Sequence, residues 1–249
     1  MSERLNGKIA LVTGGGGGIG SAICHRLARA GATVVVTYNR NADKAEAVAA
    51  ALAGAGHWTM RAPVNDSAAQ TVLAAAITAK HGTLDILVNN AGVTVPVPHH
   101  DLDALTDEII DNIFNVNVRG ALASVRAMQA LLSVGEGGVV VNISSIAART
   151  AVGSNVAYCA SKAALDNITL SLARALAPKI RVVSVSPGWV EGDYAQQMPP
   201  EVIQQQRDLT PLGRIASSED VAEAVYAVAT HLTFTTGAVI PVDGGRPLR

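Results

Sequence analysis

Two side chains four residues apart, Tyr158 and Lys162 in Tyr-Cys-Ala-Ser-Lys, can perform acid–base chemistry if a helix carries them. At positions i and i+4 they stack on one face, one turn apart. A buried ammonium beside a phenol favours the phenolate and lowers the pKa of a group that otherwise titrates near ~10. A tyrosine tuned in this way can give or take a proton at neutral pH. Alone, Tyr-x-x-x-Lys is ordinarily a solvated helix face. Here it follows Ser145 by thirteen residues and stands far behind a glycine-rich loop.

That loop, Thr13-Gly14-Gly15-Gly16-Gly17-Gly18-Ile19-Gly20, ends a strand-like run and opens a helix-like one. Gly14, Gly18 and Gly20 have separate tasks in such a turn: a sharp bend, room for a pyrophosphate, and close packing of helix on strand. Free amides and the helix dipole then favour an anion. Without a ligand the segment is only a flexible glycine loop, but its place between strand and helix points to dinucleotide binding. Five consecutive glycines exceed this requirement, so the loop is expected to be loose until a cofactor orders it. At the end of the next strand, Thr33-Val34-Val35-Val36-Thr37-Tyr38-Asn39-Arg40, an NAD site generally carries an acid. Tyr38 stands there instead, and Arg40 two residues later can take a 2′-phosphate. NADP(H) is therefore the expected preference, with NAD(H) as the other candidate. Asp43 and Glu46 read as the first turn of the following helix, and Gly17 supplies no basic help in the glycine loop.

The elements that must hold these residues are legible as short β-branched runs alternating with Ala-rich segments of helical period. Strands are predicted at Ile9–Thr13, Thr33–Thr37, Trp58–Ala62, Ile86–Asn89, Val139–Ser144, Arg181–Ser186 and Val239–Val242. Helices are predicted at Ile19–Ala30, Asp43–Ala53, Ser67–His81, Thr106–Leu132, Ala157–Ala177 and Ser218–Thr230, with Ser67 and Ser218 as N-caps and Pro178 closing the long helix after Tyr158. Several strands are unbroken apolar runs, as parallel strands covered on both faces should be. The expectation is a single α/β domain over 1–249: a doubly wound Rossmann fold with a seven-stranded parallel sheet.

Bulk composition excludes other classes. Nineteen basic and twenty acidic side chains leave a net charge of −1 with no long run of either sign, so nothing marks a nucleic-acid or anionic-membrane surface. No apolar stretch reads as a signal peptide or membrane span, and a cytoplasmic location is expected. Cys24 and Cys159 are too few for a disulfide framework and too isolated for a zinc site; they read as packing residues. His99 and His100 read as a solvated loop rather than metal ligands, and no metal is expected.

Taken in order along the chain, Thr13-Gly14-x-x-x-Gly18-Ile19-Gly20, Asn89-Asn90-Ala91-Gly92, Asn117 in Asn-Val-Asn-Val, Ser145, Tyr158-x-x-x-Lys162 and Pro187-Gly188 resemble the short-chain dehydrogenase/reductase family. So do Pro211-Leu212-Gly213-Arg214 and Val242-Asp243-Gly244-Gly245, and the flavour is that of the 3-oxoacyl-[acyl carrier protein] reductase-like branch. The resemblance implies an NAD(P)(H)-dependent interconversion of a carbonyl and a secondary alcohol, with a tetrad of Asn117, Ser145, Tyr158 and Lys162. Tyr158 would be the general acid or base and Ser145 would bond the substrate oxygen, Ser144 being the competing serine. Lys162 would hold the nicotinamide ribose, and Asn117 a water linking Lys162 to solvent. Val64, Asn90, Ala91, Gly92, Pro187, Gly188 and Val190 would line the cofactor, and Trp189 the substrate pocket under a lid at 188–211. The lid carries Glu191, Asp193, Tyr194 and Gln204-Gln205-Gln206 and no basic cluster for a phosphopantetheine.

Two positions depart from the family pattern. Pro63 stands where an Asp often bonds the adenine, and Gly192 where a Thr often holds the carboxamide. A homotetramer is implied, built on the helices Thr106–Leu132 and Ala157–Ala177 with Ala160, Ala163 and Ala164 allowing close approach, and on the final strand. The other readings are a catalytically silent dinucleotide-binding sensor or structural subunit, disfavoured by the retained Tyr158 and Lys162, and a non-redox enzyme such as an epimerase.

Overall fold

The computed structural model describes residues 4–196 and 198–248; of Asp193 and Tyr194 it describes the backbone only. Among these residues β1 (Ile9–Val12), β2 (Thr33–Tyr38), β3 (Trp58–Arg61), β4 (Ile86–Asn89), β5 (Gly138–Ile143), β6 (Ile180–Pro187) and β7 (Val239–Val242) form one parallel sheet. Its order is β3-β2-β1-β4-β5-β6-β7. The helices are α1 (Gly18–Arg29), α2 (Ala42–Ala50), α3 (Ser67–His81), α4 (Asp107–Phe114), α5 (Ala121–Leu132), α6 (Ala147–Thr150), α7 (Val156–Leu176), α8 (Asp193–Gln196), α9 (Pro200–Asp208) and α10 (Ser218–Thr230). This is the doubly wound Rossmann architecture expected from the sequence.

Period-two alternation sends successive strand side chains to opposite faces. Ala10, Val12, Val34, Val36 and Val183 pack under α1 and α10, against Ile23, Leu27, Val221 and Val225. Leu11, Val35, Leu87, Val140 and Val182 pack on the other face against Leu73, Ile77, Val125, Met128 and Leu132. All four residues of β1 and of β4 are buried, which is why β1 is apolar throughout and β4 is apolar up to its last residue, Asn89. The flanking β3 and β7 are only partly buried, and Pro241 is tolerated on the edge strand β7.

β1 pairs with β2 on one side and β4 on the other, so the chain winds outward in both directions from it. Such a reversal opens a crevice at the carboxyl ends of the strands, where ligands of open α/β sheets bind.

One long element differs from the helix expected from the sequence. The helix predicted over Thr106–Leu132 is broken into α4 and α5 by a π-helical stretch, Asn115–Gly120. A wide turn shifts the face a side chain occupies without disturbing the apolar period on either side, so periodicity does not reveal it. Caps also move by one residue. Asp66, not Ser67, caps α3 by accepting from the Ala68 and Ala69 amides at 3.0 and 3.1 Å. Ser217, not Ser218, caps α10 in a reciprocal capping box with Asp220. The expected lid contains α8 and α9; Gln197 and the side chains of Asp193 and Tyr194 lie outside the described residues.

Candidate active site

The glycine loop is shaped by contacts that leave no space for a side chain at several positions. Gly14 has φ +65°, and a Cβ there would sit 3.2 Å from the Ala91 Cα. A Cβ on Gly20 would lie 2.5 Å from the Gly14 carbonyl, and one on Gly15 would meet Val36 Cγ1 at 2.8 Å and Cys24 Sγ at 2.9 Å. Gly15 therefore has a packing task of its own, which the sequence reading did not give it. At Gly18, by contrast, φ is +50° and a Cβ would meet nothing within 4 Å.

That open space adjoins the start of α1, whose N-cap Gly17 provides no side-chain acceptor and whose first turn has no acid. The ends of α3, α7 and α10 are closed by Asp66, Asn155 and Ser217. The first amides of α1 are thus left for an external anion, which fits the pyrophosphate of a dinucleotide.

Thr13 and Asn90 act behind this cradle. Thr13 is buried; its hydroxyl donates to the Val88 carbonyl and accepts from the Asn90 and Ala91 amides at 3.0 and 3.1 Å. Asn90 Nδ2 donates to the Thr13 and Gly14 carbonyls at 2.9 and 3.1 Å. These side chains lock the loops after β1 and β4 together, so their geometry is that of a brace.

At the carboxyl end of β2 Tyr38 packs against the core, while Arg40 is exposed and forms no ion pair among the described residues. Beside Tyr38 in the neighbouring strand stands Arg61, whose Nε donates to the Asn39 carbonyl at 3.0 Å. Sequence reasoning passed over Arg61, since only strand register brings it next to the end of β2.

The turn after β3 is held by Gln70, fully buried, which donates to the Ala62 and Pro63 carbonyls at 3.2 Å and accepts from Ser124. Val64 is buried against Gly120, where a Cβ would approach its Cγ2 to 2.7 Å. Gly192 has φ +142°, a conformation a β-branched residue rarely adopts.

The candidate catalytic pair lies on α7. Lys162 is 6 % exposed, and its Nζ donates to the Ile143 carbonyl at 2.8 Å and lies 5.7 Å from the centre of the Tyr158 ring. Burial pushes its ammonium down to about 8, opposed by the carboxylate of Asp166 one turn on. Tyr158 itself is partly exposed. Ser145 is partly exposed as well and accepts from the Ala147 amide at 3.2 Å, whereas Ser144 is buried with its hydroxyl directed to the Lys162 carbonyl at 3.4 Å. The geometry thus prefers Ser145 to Ser144 as the serine available to a ligand.

Asn117 enters from the π-helical stretch. It accepts from the Val93 amide at 2.8 Å and donates to the Val93 carbonyl at 3.0 Å and to Ser161 Oγ at 3.1 Å. Ser161 in turn donates to the Tyr158 carbonyl at 2.8 Å. Gly92 lies between the two polar groups: a Cβ there would be 3.4 Å from Asn117 Oδ1 and 3.7 Å from Lys162 Nζ. The structure therefore brings Asn117, Tyr158, Lys162 and the loop after β4 into one neighbourhood.

Beneath it runs a polar chain that the apolar strand patterns concealed. Asn89 Nδ2 donates to Asn142 Oδ1 at 2.9 Å, Asn142 Nδ2 to Thr169 Oγ1 at 2.8 Å, and Thr169 shares a hydrogen bond with Ser184 at 2.8 Å. All four are buried, and the chain joins β4, β5, α7 and β6 directly under Lys162's helix. Burial raises the carboxyl of Asp166, opposed by the Ser144 and Ser184 hydroxyls and by Arg149 and Lys162.

On the far wall Gly188 passes so close to the end of β7 that a Cβ would be 3.0 Å from the Asp243 Cα, and Pro187 accepts from the Ile146 amide at 2.8 Å. Trp189 and Glu191 exchange backbone hydrogen bonds with Ala216, and Val190 packs against the core. These contacts anchor the start of the 188–211 segment.

Comparison with known proteins agrees with this geometry. A family model described as enoyl-(acyl carrier protein) reductase matches residues 14–246. The chain is 39% identical over 242 residues to a granaticin polyketide synthase putative ketoacyl reductase 2 of Streptomyces violaceoruber, covering 96% of each. It is 34% identical to the 3-oxoacyl-[acyl-carrier-protein] reductase of Aquifex aeolicus, covering 98% of this chain and 99% of that one. Among solved structures, a putative short-chain dehydrogenase/reductase from Burkholderia xenovorans superposes with a TM-score of 0.90 at 32% identity, covering 97% and 98%. The chain belongs to the short-chain dehydrogenase/reductase family. It is an oxidoreductase that interconverts a carbonyl and a secondary alcohol with NAD(P)(H). No helix among the described residues is long and apolar enough to cross a membrane.

Proposed function

We propose that the protein is an NADP(H)-preferring reductase of 3-oxoacyl thioesters, with Asn117, Ser145, Tyr158 and Lys162 as its catalytic residues. The observation that carries this reading is the buried Lys162 ammonium 5.7 Å from the Tyr158 ring, at the mouth of a crevice with an uncapped glycine-loop helix. The names of the two ketoacyl-type relatives support the substrate class. Arg40, exposed and without an ion pair among the described residues, with Arg61 in the adjacent strand, supports the 2′-phosphate.

When bound, the nicotinamide supplies the hydride that the carbonyl carbon accepts. Ser145 donates to the carbonyl oxygen as negative charge grows there. Tyr158 gives its phenolic proton to that oxygen, and the Lys162 ammonium stabilises the charge left on the phenol. Asn117 keeps Val93 and the first turns of α7 in register, so that the loop after Gly92 and the acid stay aligned. In alcohol oxidation the same groups work in reverse. The single-domain organisation over 1–249 and the cofactor contacts of Gly14, Gly18, Ile19, Gly20, Ala91, Gly92, Gly188 and Val190 belong to this reading, as does Trp189 at the substrate.

The test is NADPH oxidation against acetoacetyl-N-acetylcysteamine. One alcohol formed per NADPH consumed is expected; binding of NADPH without any turnover would favour the silent dinucleotide-binding alternative instead. A cytoplasmic homotetramer completes the proposal, with exposed Leu122 on α5 and Leu170 on α7 as the apolar positions it would cover. Light scattering at micromolar concentration should give four times the chain mass, and a monomer would refute it.

A further inference from the structure

The residue before α7 ties both walls of the site together. Asn155 is fully buried, and its Oδ1 accepts from the Tyr158 amide at 2.7 Å, capping the first turn of the helix that carries the catalytic phenol. Its Nδ2 points the other way, donating to the Val95 carbonyl at 2.7 Å and reaching Thr94 Oγ1 at 3.4 Å. Around it two backbone segments close like a zip. The Val97 amide donates to the Ser154 carbonyl at 2.9 Å, the Thr94 and Ser154 hydroxyls are in contact, and His99 Nε2 meets the Gly153 carbonyl at 3.1 Å. The loop so held starts at Gly92, beside Lys162 Nζ and Asn117, so it leaves the catalytic centre and returns to the helix start three residues before Tyr158.

We infer that Asn155 is a positioning residue that sets the width of the substrate gap, by fixing the 93–98 loop to the first turn of α7. An amide is suited to this task because one side chain offers an acceptor and a donor on opposite sides. An N-cap alone needs only the acceptor, and serine serves there about as well as asparagine. The second function is what distinguishes Asn155 from an ordinary cap. Val95 and Val152, exposed apolar residues in the two zipped segments, give the rim an apolar character that suits the acyl part of a substrate.

The inference rests on the reductase reading, and the experiment separates the two. Asn155→Ser keeps a cap for Tyr158 but is too short to hold Val95. With acetoacetyl-N-acetylcysteamine as probe, KM should rise about tenfold while kcat stays within about twofold and NADPH affinity is unchanged. Hydrogen exchange across residues 93–98 should quicken in the same variant without substrate. Asn155→Ala, losing the cap as well, should lower kcat in addition. Thr94→Ala removes another rung without touching α7 and should raise KM about threefold, which keeps the test open if Asn155 variants do not fold. Wild-type KM and wild-type exchange in 93–98 for Asn155→Ser and Thr94→Ala would overturn the inference, and so would a loss of stability with kinetics untouched. If the wild type fails to turn over the probe, the substrate reading falls, and the exchange comparison still decides the role of Asn155.

Discussion

Replacing Lys162 by methionine should make the pH dependence of stability visible as a difference between two proteins. The ammonium is buried, and burial brings it from 10.5 to about 8. The folded protein therefore binds its proton less tightly than the unfolded chain does. Below pH 8 both states are protonated and folding carries the full cost, ~3 kcal/mol at 1.36 kcal/mol per unit. As pH rises through the window from about 8 to 10.5 the unfolded chain still binds the proton and the folded one does not, so wild-type stability rises. Between pH 7.5 and pH 10 the gain is ~2 kcal/mol. Methionine preserves the length of the side chain and has no such titration. It also leaves the Ile143 carbonyl without its donor, at a cost of about 1–3 kcal/mol, but that loss is the same at both pH values and cancels. The assay is urea unfolding of both proteins, free of cofactor, at pH 7.5 and pH 10. The wild type should gain ~2 kcal/mol relative to Lys162→Met on going to the higher pH. A difference that stays constant within ~0.5 kcal/mol would show that the ammonium is not held in a desolvated site, and the account of its role beside Tyr158 would fail with it.

Other outcomes follow from the same structure. Tyr158→Phe should lower kcat by about 10²–10⁴-fold with NADPH affinity within about twofold by fluorescence titration, because only the proton-transfer group is removed; retention of a sizeable fraction of activity would refute the assignment. Arg40→Ala should lower kcat/KM for NADPH about 10- to 100-fold, the worth of a charge-assisted hydrogen bond, with little change for NADH; an equal loss for both cofactors, or a wild-type preference for NADH, would remove the 2′-phosphate role. Gly15→Ala should destabilise the fold by about 1–3 kcal/mol through the contacts with Val36 and Cys24, whereas Gly17→Ala, with nothing within 4 Å and only the weaker N-cap of α1 to lose, should cost less, about 0.5–1 kcal/mol, in urea unfolding.

The alternation of short apolar runs with Ala-rich segments specified the seven strands and the order in which helices cover them, because a strand buried on both faces has to be apolar throughout. The pairing of Tyr158 with Lys162 was legible in the same way, since a four-residue spacing on a helix is itself a statement about geometry: the two share a face, with the ammonium close to the ring. Glycines 14, 18 and 20 likewise marked their own positions through the conformations and contacts that only glycine permits.

What the sequence left hidden depends on partners distant along the chain. Asn117 reaches Val93 only because a π-helical stretch interrupts a helix whose apolar period continues on either side. Arg61 stands beside the end of β2 because β3 is in register with β2, and Gln70 supports the turn after β3 from a helix interior where a glutamine reads as ordinary. Asn89, Asn142, Thr169 and Ser184 are single polar residues within apolar segments, and only the stacking of four elements makes them a chain. The sequence by itself determined which residues could carry the chemistry, because residue type and local period are properties of neighbours in the chain. Tertiary structure alone decided how deeply Lys162 is buried, which serine is accessible and what Asn155 joins, because desolvation and hydrogen bonding depend on groups the sequence does not place side by side.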